Sequence, residues 1–329
     1  MTPYPAAKRI LVTGGAGYIG SNTVLQLLDR GYDVVVVDNL SRGFRHNVQP
    51  ERLRVFSLQD TGALTRVFAE APCSAAIHFA AFASVGESMK KPEMYFENNV
   101  GGSLSLFTAM QRAGVKNLVF SSTAAVYGMP EESPIPEILP YAPINPYGES
   151  KVMVEKILGW FDQIYGLRSV CLRYFNAAGA DPKGRAGEEH DPETHLIPLL
   201  FRAIQTGEPV TVFGEDYPTP DGTCIRDYIH VTDLAQVHIL AVEALAGGAP
   251  SNKFNVGTGS GFSVREVIRA VEDVTGKKVP YTVGPRREGD PPALVADSTK
   301  LRKTLEWSPK FGDLRTIVSS AWNFAESNK

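Results

Sequence analysis

The chain has 329 residues, 43% hydrophobic and 21% charged, with 33 Lys and Arg set against 36 Asp and Glu. Such a composition is that of a folded, water-soluble globular protein of one large or two ordinary domains, and it excludes disorder and low complexity. The balance of charge offers no basic field for nucleic acid or anionic lipid, and no window approaches the ~20 apolar residues of a membrane span, so neither partner is expected.

Hydrophobic runs predict strands over 9–13, 33–38, 53–58, 75–80, 117–122 and 169–174, alternating with helices over 21–29, 61–70, 92–113 and 145–165. The strands are continuously apolar, as in a parallel sheet covered on both faces, so the expected fold is α/β: a Rossmann-like doubly wound parallel sheet. Beyond Asn176 the rhythm breaks into Gly-, Pro- and charge-rich loops at 179–192 and 214–223. This change divides the chain into an expected nucleotide-binding domain, 1–178, and a smaller C-terminal α/β domain, 179–329, some of whose segments return to the first. Residues 1–7 lack the charged and apolar regions of a leader, which makes the cytoplasm the expected location. Cys73, Cys171 and Cys224 are odd in number and far apart, and read as structural.

Between the first strand and the first helix lies Thr13-Gly14-Gly15-Ala16-Gly17-Tyr18-Ile19-Gly20. Gly15, Gly17 and Gly20 satisfy G-x-G-x-x-G, and Gly14, Gly17 and Gly20 a variant one residue longer; both registers serve a dinucleotide. Glycine permits the tight turn and the approach of backbone to pyrophosphate, while the helix N-terminus faces the negative charge. No Lys follows Gly20, which excludes a nucleotide-hydrolysing P-loop. Asp38 ends the second strand, where a carboxylate can bind both ribose hydroxyls and repel the extra phosphate of NADP, so NAD is the expected cofactor; the alternative for Asp38 is a solvated loop acid. Arg42 is expected to face solvent.

Tyr147 and Lys151 stand four apart at the start of a helix announced by Asn145-Pro146, on one face. A phenol is a base at neutral pH only if nearby positive charge favours phenolate, which an ammonium and a nicotinamide ring would supply. YxxxK alone could be a surface pair, but Phe120-Ser121-Ser122-Thr123 places hydroxyls at a strand end on the carboxyl edge of the sheet, where such folds bind ligands.

In order and spacing, the TGGxGxxG turn, the Ser/Thr, the Tyr and the Lys resemble the extended short-chain dehydrogenase/reductase family. The resemblance implies that Thr123, Tyr147 and Lys151 are catalytic, with Thr123 holding a sugar hydroxyl and helping its proton to Tyr147. Dehydratase members place acids after the Ser/Thr; here Ala124-Ala125 cannot transfer protons. The similarity is closer to the members that epimerise UDP-hexoses. Its marks are His78-Phe79-Ala80-Ala81, Val85-Gly86-Glu87-Ser88, Arg173-Tyr174-Phe175-Asn176, Phe213 to Thr219, Asp221 to Val231, and Arg286-Arg287-Glu288-Gly289-Asp290.

That similarity implies NAD contacts from Gly14, Gly17, Tyr18, Ile19, Gly20, Asp38 and Asn39, and further along from Phe79, Ala80, Asn98, Ser121, Tyr147, Lys151 and Tyr174. It implies UDP-hexose contacts from Thr123, Asn176, His195, Leu196, Tyr228 and Leu294, with Phe213 beside the uracil and Arg226, Arg287 and Asp290 on the diphosphate and ribose. Arg forks suit phosphate oxygens. The other readings are loop salt bridges for Arg226–Asp227 and Arg287–Asp290, and ordinary core for Phe213. The implied activity is interconversion of UDP-galactose and UDP-glucose through a transient 4-keto sugar with bound NADH, and the implied assembly is a homodimer through the helices over 92–113 and 145–165. A UDP-glucuronate-acting epimerase and a non-catalytic NAD-binding regulator are the competing functions.

Three departures from the family pattern matter. Ala83 replaces a frequent Lys beside the pyrophosphate, and Leu58-Gln59-Asp60 replaces a strand-ending Gly-Asp near adenine; both point to weaker NAD retention. Leu294 stands where a large Tyr narrows the hexose pocket in some relatives, and its intermediate size predicts secondary activity on UDP-GlcNAc and UDP-GalNAc. The Glu188-Glu189-His190-Asp191…His195 stretch lacks a recognised zinc spacing, and no metal is expected.

Overall fold

The computed structural model describes residues 9–287 and 289–327; residues 1–7 and Glu288 of the RREGD motif lie outside them. One compact unit runs through Gly128 and takes in 140–173 and 235–254. The second takes in 129–139, 174–234 and the described residues from 255 on. In chain order the strands are β1 (Arg9–Thr13), β2 (Asp33–Asp38), β3 (Leu53–Val55), β4 (Cys73–His78), β5 (Asn117–Thr123), β6 (Arg168–Tyr174), β7 (Asn176–Ala178), β8 (Val210–Phe213), β9 (Ile225–His230), β10 (Asn252–Val256), β11 (Gly261–Ser263), β12 (Tyr281–Gly284) and β13 (Ala293–Leu294).

The first unit is a Rossmann-like doubly wound α/β sheet in the order β10-β6-β5-β4-β1-β2-β3, with parallel pairing from β3 through β5. Its inner strands are apolar throughout because both faces are covered: Val34 to Val37 are 0–1% exposed. Leu11, Val35, Leu64, Phe107, Met110, Leu118 and Leu158 share one core. Burying each contributes about 1.5–3 kcal/mol. The strand order reverses around β1 and β4, so the ends of β1, β2, β4 and β5 converge where such sheets bind ligands.

Element bounds shift by up to three residues, the strand expected over 75–80 running 73–78, and two elements differ in kind from their sequence patterns. The helix expected over 92–113 is three pieces, Pro92–Tyr95, a wider π-helical stretch Phe96–Gly101, and Gly102–Arg112. Gly101-Gly102 lowers the cost of leaving α geometry, and the widened turn carries the buried Asn99. The Asn99 carboxamide accepts from the Phe82 amide at 2.8 Å and donates to the Phe82 carbonyl and the Ser150 hydroxyl, both at 3.0 Å. β3 stops at Val55 instead of reaching residue 58, because a turn begins at Ser57, whose carbonyl accepts from the Asp60 amide. Asp60 then caps the helix Thr61–Glu70 through the Ala63 amide at 2.8 Å.

The helix Pro146–Tyr165 opens as its sequence dictates, with Asn145 accepting from the Gly148 amide at 2.8 Å and Pro146 at the first position, and ends at Gly166 with φ of 65°. At its centre Glu155 and Arg173 form a buried two-pronged ion pair, at 3.0 and 2.7 Å. The Ser122 and Tyr141 hydroxyls donate to the same carboxylate at 2.5 and 2.8 Å. Burial opposes ionisation of Glu155, yet the Arg173 guanidinium and these hydroxyls hold it below the usual carboxylate range.

The second unit is built on β9, which pairs antiparallel with β11 and parallel with β13 and β7. β8 and β12 form a separate parallel pair. Leu200, Phe201, Val267, Val271, Ile317 and Val318 make its core, and the helix Val264–Thr275 starts on a Ser263/Glu266 capping box.

Removing one member of a buried ion pair strands the other. Glu155→Ala is expected to cost about 3–5 kcal/mol of stability in denaturant titration, and Glu155→Leu combined with Arg173→Met to recover most of it. A single-variant loss under about 1 kcal/mol would show that the pair is not needed to hold the first unit together.

Candidate active site

The turn after β1 explains its glycines one by one. Gly14 has φ of +71°, and a side chain there would meet the Ala80 amide at 2.5 Å; at Gly20 it would meet the Gly14 carbonyl at 2.2 Å. A side chain at Gly17 would meet only the Gly14 carbonyl, at 3.5 Å, so the protein's own packing does not demand glycine there, and the open side leaves room for a dinucleotide to come close to the backbone. Gly17 caps the helix Tyr18–Asp29 without a side-chain bond, and no acid lies in the first turn, leaving donors suited to an anion. Tyr18 and Gly20 are buried on this helix and Ile19 half-buried.

Asp38 ends β2 with its carboxylate accepting from the Ala16 amide at 3.0 Å and the Leu40 amide at 2.8 Å. Burial raises its pKa and these two amides oppose the rise. Two fixed bonds orient the carboxylate at the strand end and still leave lone pairs for ribose hydroxyls. The neighbouring Asn39 is exposed and turns its side-chain oxygen onto the Ser41 amide at 3.0 Å. Arg42 is bound in two places by Glu87, at 2.7 and 2.9 Å, with its guanidinium 5.6 Å from the centre of the Phe82 ring. These features fit an NAD-type dinucleotide.

β5 delivers Ser121, Ser122 and Thr123, all buried, to the same edge. Thr123 accepts from the Ala125 amide at 3.1 Å, and its hydroxyl lowers the pKa of the neighbouring Tyr147 phenol. Lys151 is 3% exposed, donates to the Ser121 carbonyl at 2.8 Å, and lies 5.9 Å from the centre of the Tyr147 ring. The three side chains expected to act together are therefore together. Burial pushes the Tyr147 phenol up while Thr123 draws it down, and burial pushes Lys151 down to about 7 against the pull of Glu155. The ammonium alone thus does not outweigh burial at the phenol. Phe79 and Ala80 follow β4, with Phe79 against His238 at 4.6 Å, and Asn98 donates to Asn99 at 3.0 Å.

Within the second unit, β9 gathers several expected substrate contacts. Arg226 pairs with Asp290, and Leu294 of β13 stands beside Arg226 in register. Asp227 faces the other way, fully buried, and accepts from the amides of Thr258, Gly259 and Ala296, so Arg226–Asp227 is not a loop salt bridge. Asn176 is in register with the buried Tyr228 and donates to the Asp227 carbonyl at 3.1 Å. Arg287 stacks over Phe213, 4.1 Å from its centre. Tyr174 is half-buried at the end of β6. His195 and Leu196 open the helix Leu196–Thr206, where His195 is engaged by Glu188 and Glu193, both at 3.0 Å.

A model of the NAD dependent epimerase/dehydratase family matches residues 10–257. The chain belongs to this family. It is 51% identical over 322 residues to the UDP-glucose 4-epimerase of Lacticaseibacillus casei, covering 97% of each chain. UDP-glucose 4-epimerase from Brucella ovis, solved in complex with NAD, superposes with a TM-score of 0.94 at 46% identity over 96% of this chain and 98% of that one. The enzyme from Bifidobacterium longum, solved with NAD+ and UDP, gives 0.91 at 38% identity over 98% and 99%.

The groups beneath Thr123, Tyr147 and Lys151 were not apparent in the sequence. Glu155 lies one helical turn past Lys151 on the same face, a signal the i, i+4 rule could have supplied. His78 sits between Thr13, at 2.6 Å, and Ser103, at 2.8 Å, and burial followed by the Lys151 charge pushes it down to about 3. A lysine whose pKa falls on folding binds its proton less well in the native state, so its burden on stability is full below its folded pKa and fades as pH rises toward its unfolded one. Lys151→Met is therefore expected to raise the melting temperature more at pH 6 than at pH 9. A gain that grows with pH would mean the ammonium is not desolvated.

Proposed function

We propose that the chain is an NAD-dependent isomerase that interconverts UDP-galactose and UDP-glucose at C4 of the hexose. The Thr123–Tyr147 pair with Lys151 beneath it carries the reading, together with the family and its relatives. Bound NAD supplies a reversible hydride acceptor and a positive ring. Tyr147 takes the C4 hydroxyl proton, helped by Thr123, while Lys151 holds the cofactor ribose and adds positive charge toward the phenol. Ala124 and Ala125 give no acid for elimination, so the 4-keto sugar is turned over and reduced on its other face instead of being dehydrated.

Turning the sugar requires a firm grip on UDP and a loose one on the hexose. Arg226, Arg287 and Asp290 supply the grip, with Phe213 beside the uracil, and Asn176, His195, Leu196 and Tyr228 line the remainder. Leu294, at the hexose, admits an N-acetyl group with lower efficiency. Gly14, Gly17, Gly20 and Asp38 hold the cofactor at the turn after β1 and the end of β2. Residues 1–178 form mainly the NAD-binding part and 179–329 mainly the UDP-sugar part.

No described helix is long and apolar enough to cross a membrane, in keeping with a cytoplasmic enzyme. Exposed Leu104, Met153, Trp160 and Ile164, the last two 61% and 62% exposed, support a homodimer through the helices Gly102–Arg112 and Pro146–Tyr165.

The purified protein is expected to convert UDP-galactose to UDP-glucose with no added NAD; strict dependence on added NAD would count against a retained cofactor, and no conversion with NAD present would defeat the reading. Tyr147→Phe should lower kcat by about 10²–10⁴-fold, measured with fold and bound NAD intact. For Leu294, turnover of UDP-galactose and UDP-GlcNAc is compared in wild type and Leu294→Tyr: the expected outcome is a selective loss on the N-acetylated sugar, and an unchanged ratio removes Leu294 as the gate.

A further inference from the structure

Within eight residues, the loop between β7 and the helix Leu196–Thr206 turns four ligand-type side chains toward one another. Glu188, His190, Glu193 and His195 each direct one ligand-type atom to a common point, all within 4.8 Å of one another. His195 Nδ1 is 3.0 Å from both Glu188 and Glu193, and His190 Nδ1 is 3.5 Å from both. The set is completed by Glu193, not by Asp191 or Glu189, which is why the linear pattern showed no zinc spacing.

We infer that these four side chains form a structural site for one divalent cation of the zinc type. Two imidazole nitrogens and two carboxylate oxygens at metal bonds of about 2.0–2.1 Å define a tetrahedron with edges of roughly 3.3 Å; the His–Glu separations of 3.0 and 3.5 Å, with Glu193 turning a different oxygen to each histidine, bracket that value. Two carboxylates neutralise a dication, and the ring nitrogens of two neutral histidines complete the shell. His190 Nδ1 is shut off from solvent, while the His195 side chain is 53% exposed and leaves a path for entry. Four protein ligands leave no open position for water, so the ion fixes structure and takes no part in chemistry. What it fixes is the loop leading into His195 and Leu196, at the start of the helix.

The test uses full-length protein stripped with a chelator and titrated with ZnCl2, followed by calorimetry and thermal unfolding, with Co2+ as a spectroscopic probe. Wild type is expected to bind one Zn2+ per chain, to melt at a higher temperature when loaded, and to give the intense visible bands of four-coordinate Co2+. His190→Ala and Glu193→Gln should each weaken binding by about 100-fold or more and abolish the thermal gain. Circular dichroism of both variants without metal confirms that they fold; if His190→Ala does not, Glu193→Gln and the Co2+ spectrum decide. Unchanged affinity in the variants, absence of binding by wild type, or the weak bands of six-coordinate Co2+ would each overturn the site.

Discussion

Placing the Lys151 ammonium out of water is the constraint on which the rest of the first unit depends. A buried cation survives only with compensation, here the Ser121 carbonyl and the Glu155 charge one turn along the helix. Glu155 in turn is tolerable only because Arg173, Ser122 and Tyr141 occupy its oxygens. Arg173 sits between the Tyr127 and Tyr141 rings, 5.1 and 5.0 Å from their centres, and donates to the Tyr127 hydroxyl at 2.7 Å. One buried charge thus requires residues from β5, β6 and the helix Pro146–Tyr165 to be in place at once. The same burial keeps His78 neutral and holds the phenol of Tyr147 protonated until further positive charge arrives.

The second unit solves a different problem by strand alternation. On β9, Arg226 emerges beside Leu294 while Asp227 points inward to a nest of amides. Period-two geometry lets one short motif supply both a guanidinium paired with Asp290 and a rivet for its own loops. Asp227 is fully buried, and burial raises its pKa even as the surrounding amides oppose the rise, so the rivet is electrostatically costly and its bonds are not spare.

The parallel sheet was legible because its strands are uninterrupted apolar runs, and the glycine turn because Gly14 and Gly20 answer to local steric demands. The π-helical stretch at Phe96–Gly101 was not, since its cause is Asn99 reaching Phe82 and Ser150, contacts far apart in sequence. The short β3 was misjudged because Phe56 and Leu58 extend its apolar pattern through what is in fact a turn. Thr123, Tyr147 and Lys151 stood out through spacing and position at a strand end. Glu155 and Arg173 did not, although both were in view, because a charged pair reads as surface until its surroundings are known. The Glu188–His195 group was hidden for a related reason: loop residues at irregular intervals converge only through backbone turns that no periodicity announces.

The strand β13 is only two residues long, yet its backbone is held in register against β9 whatever side chain it carries. Position 294 is therefore open to exchange one substitution at a time, without a partner having to change as well. Glu155 and Arg173 have the opposite character, since neither can be altered profitably unless the other changes too. Over evolutionary time such an arrangement lets the residue at 294 drift while the buried pair stays locked.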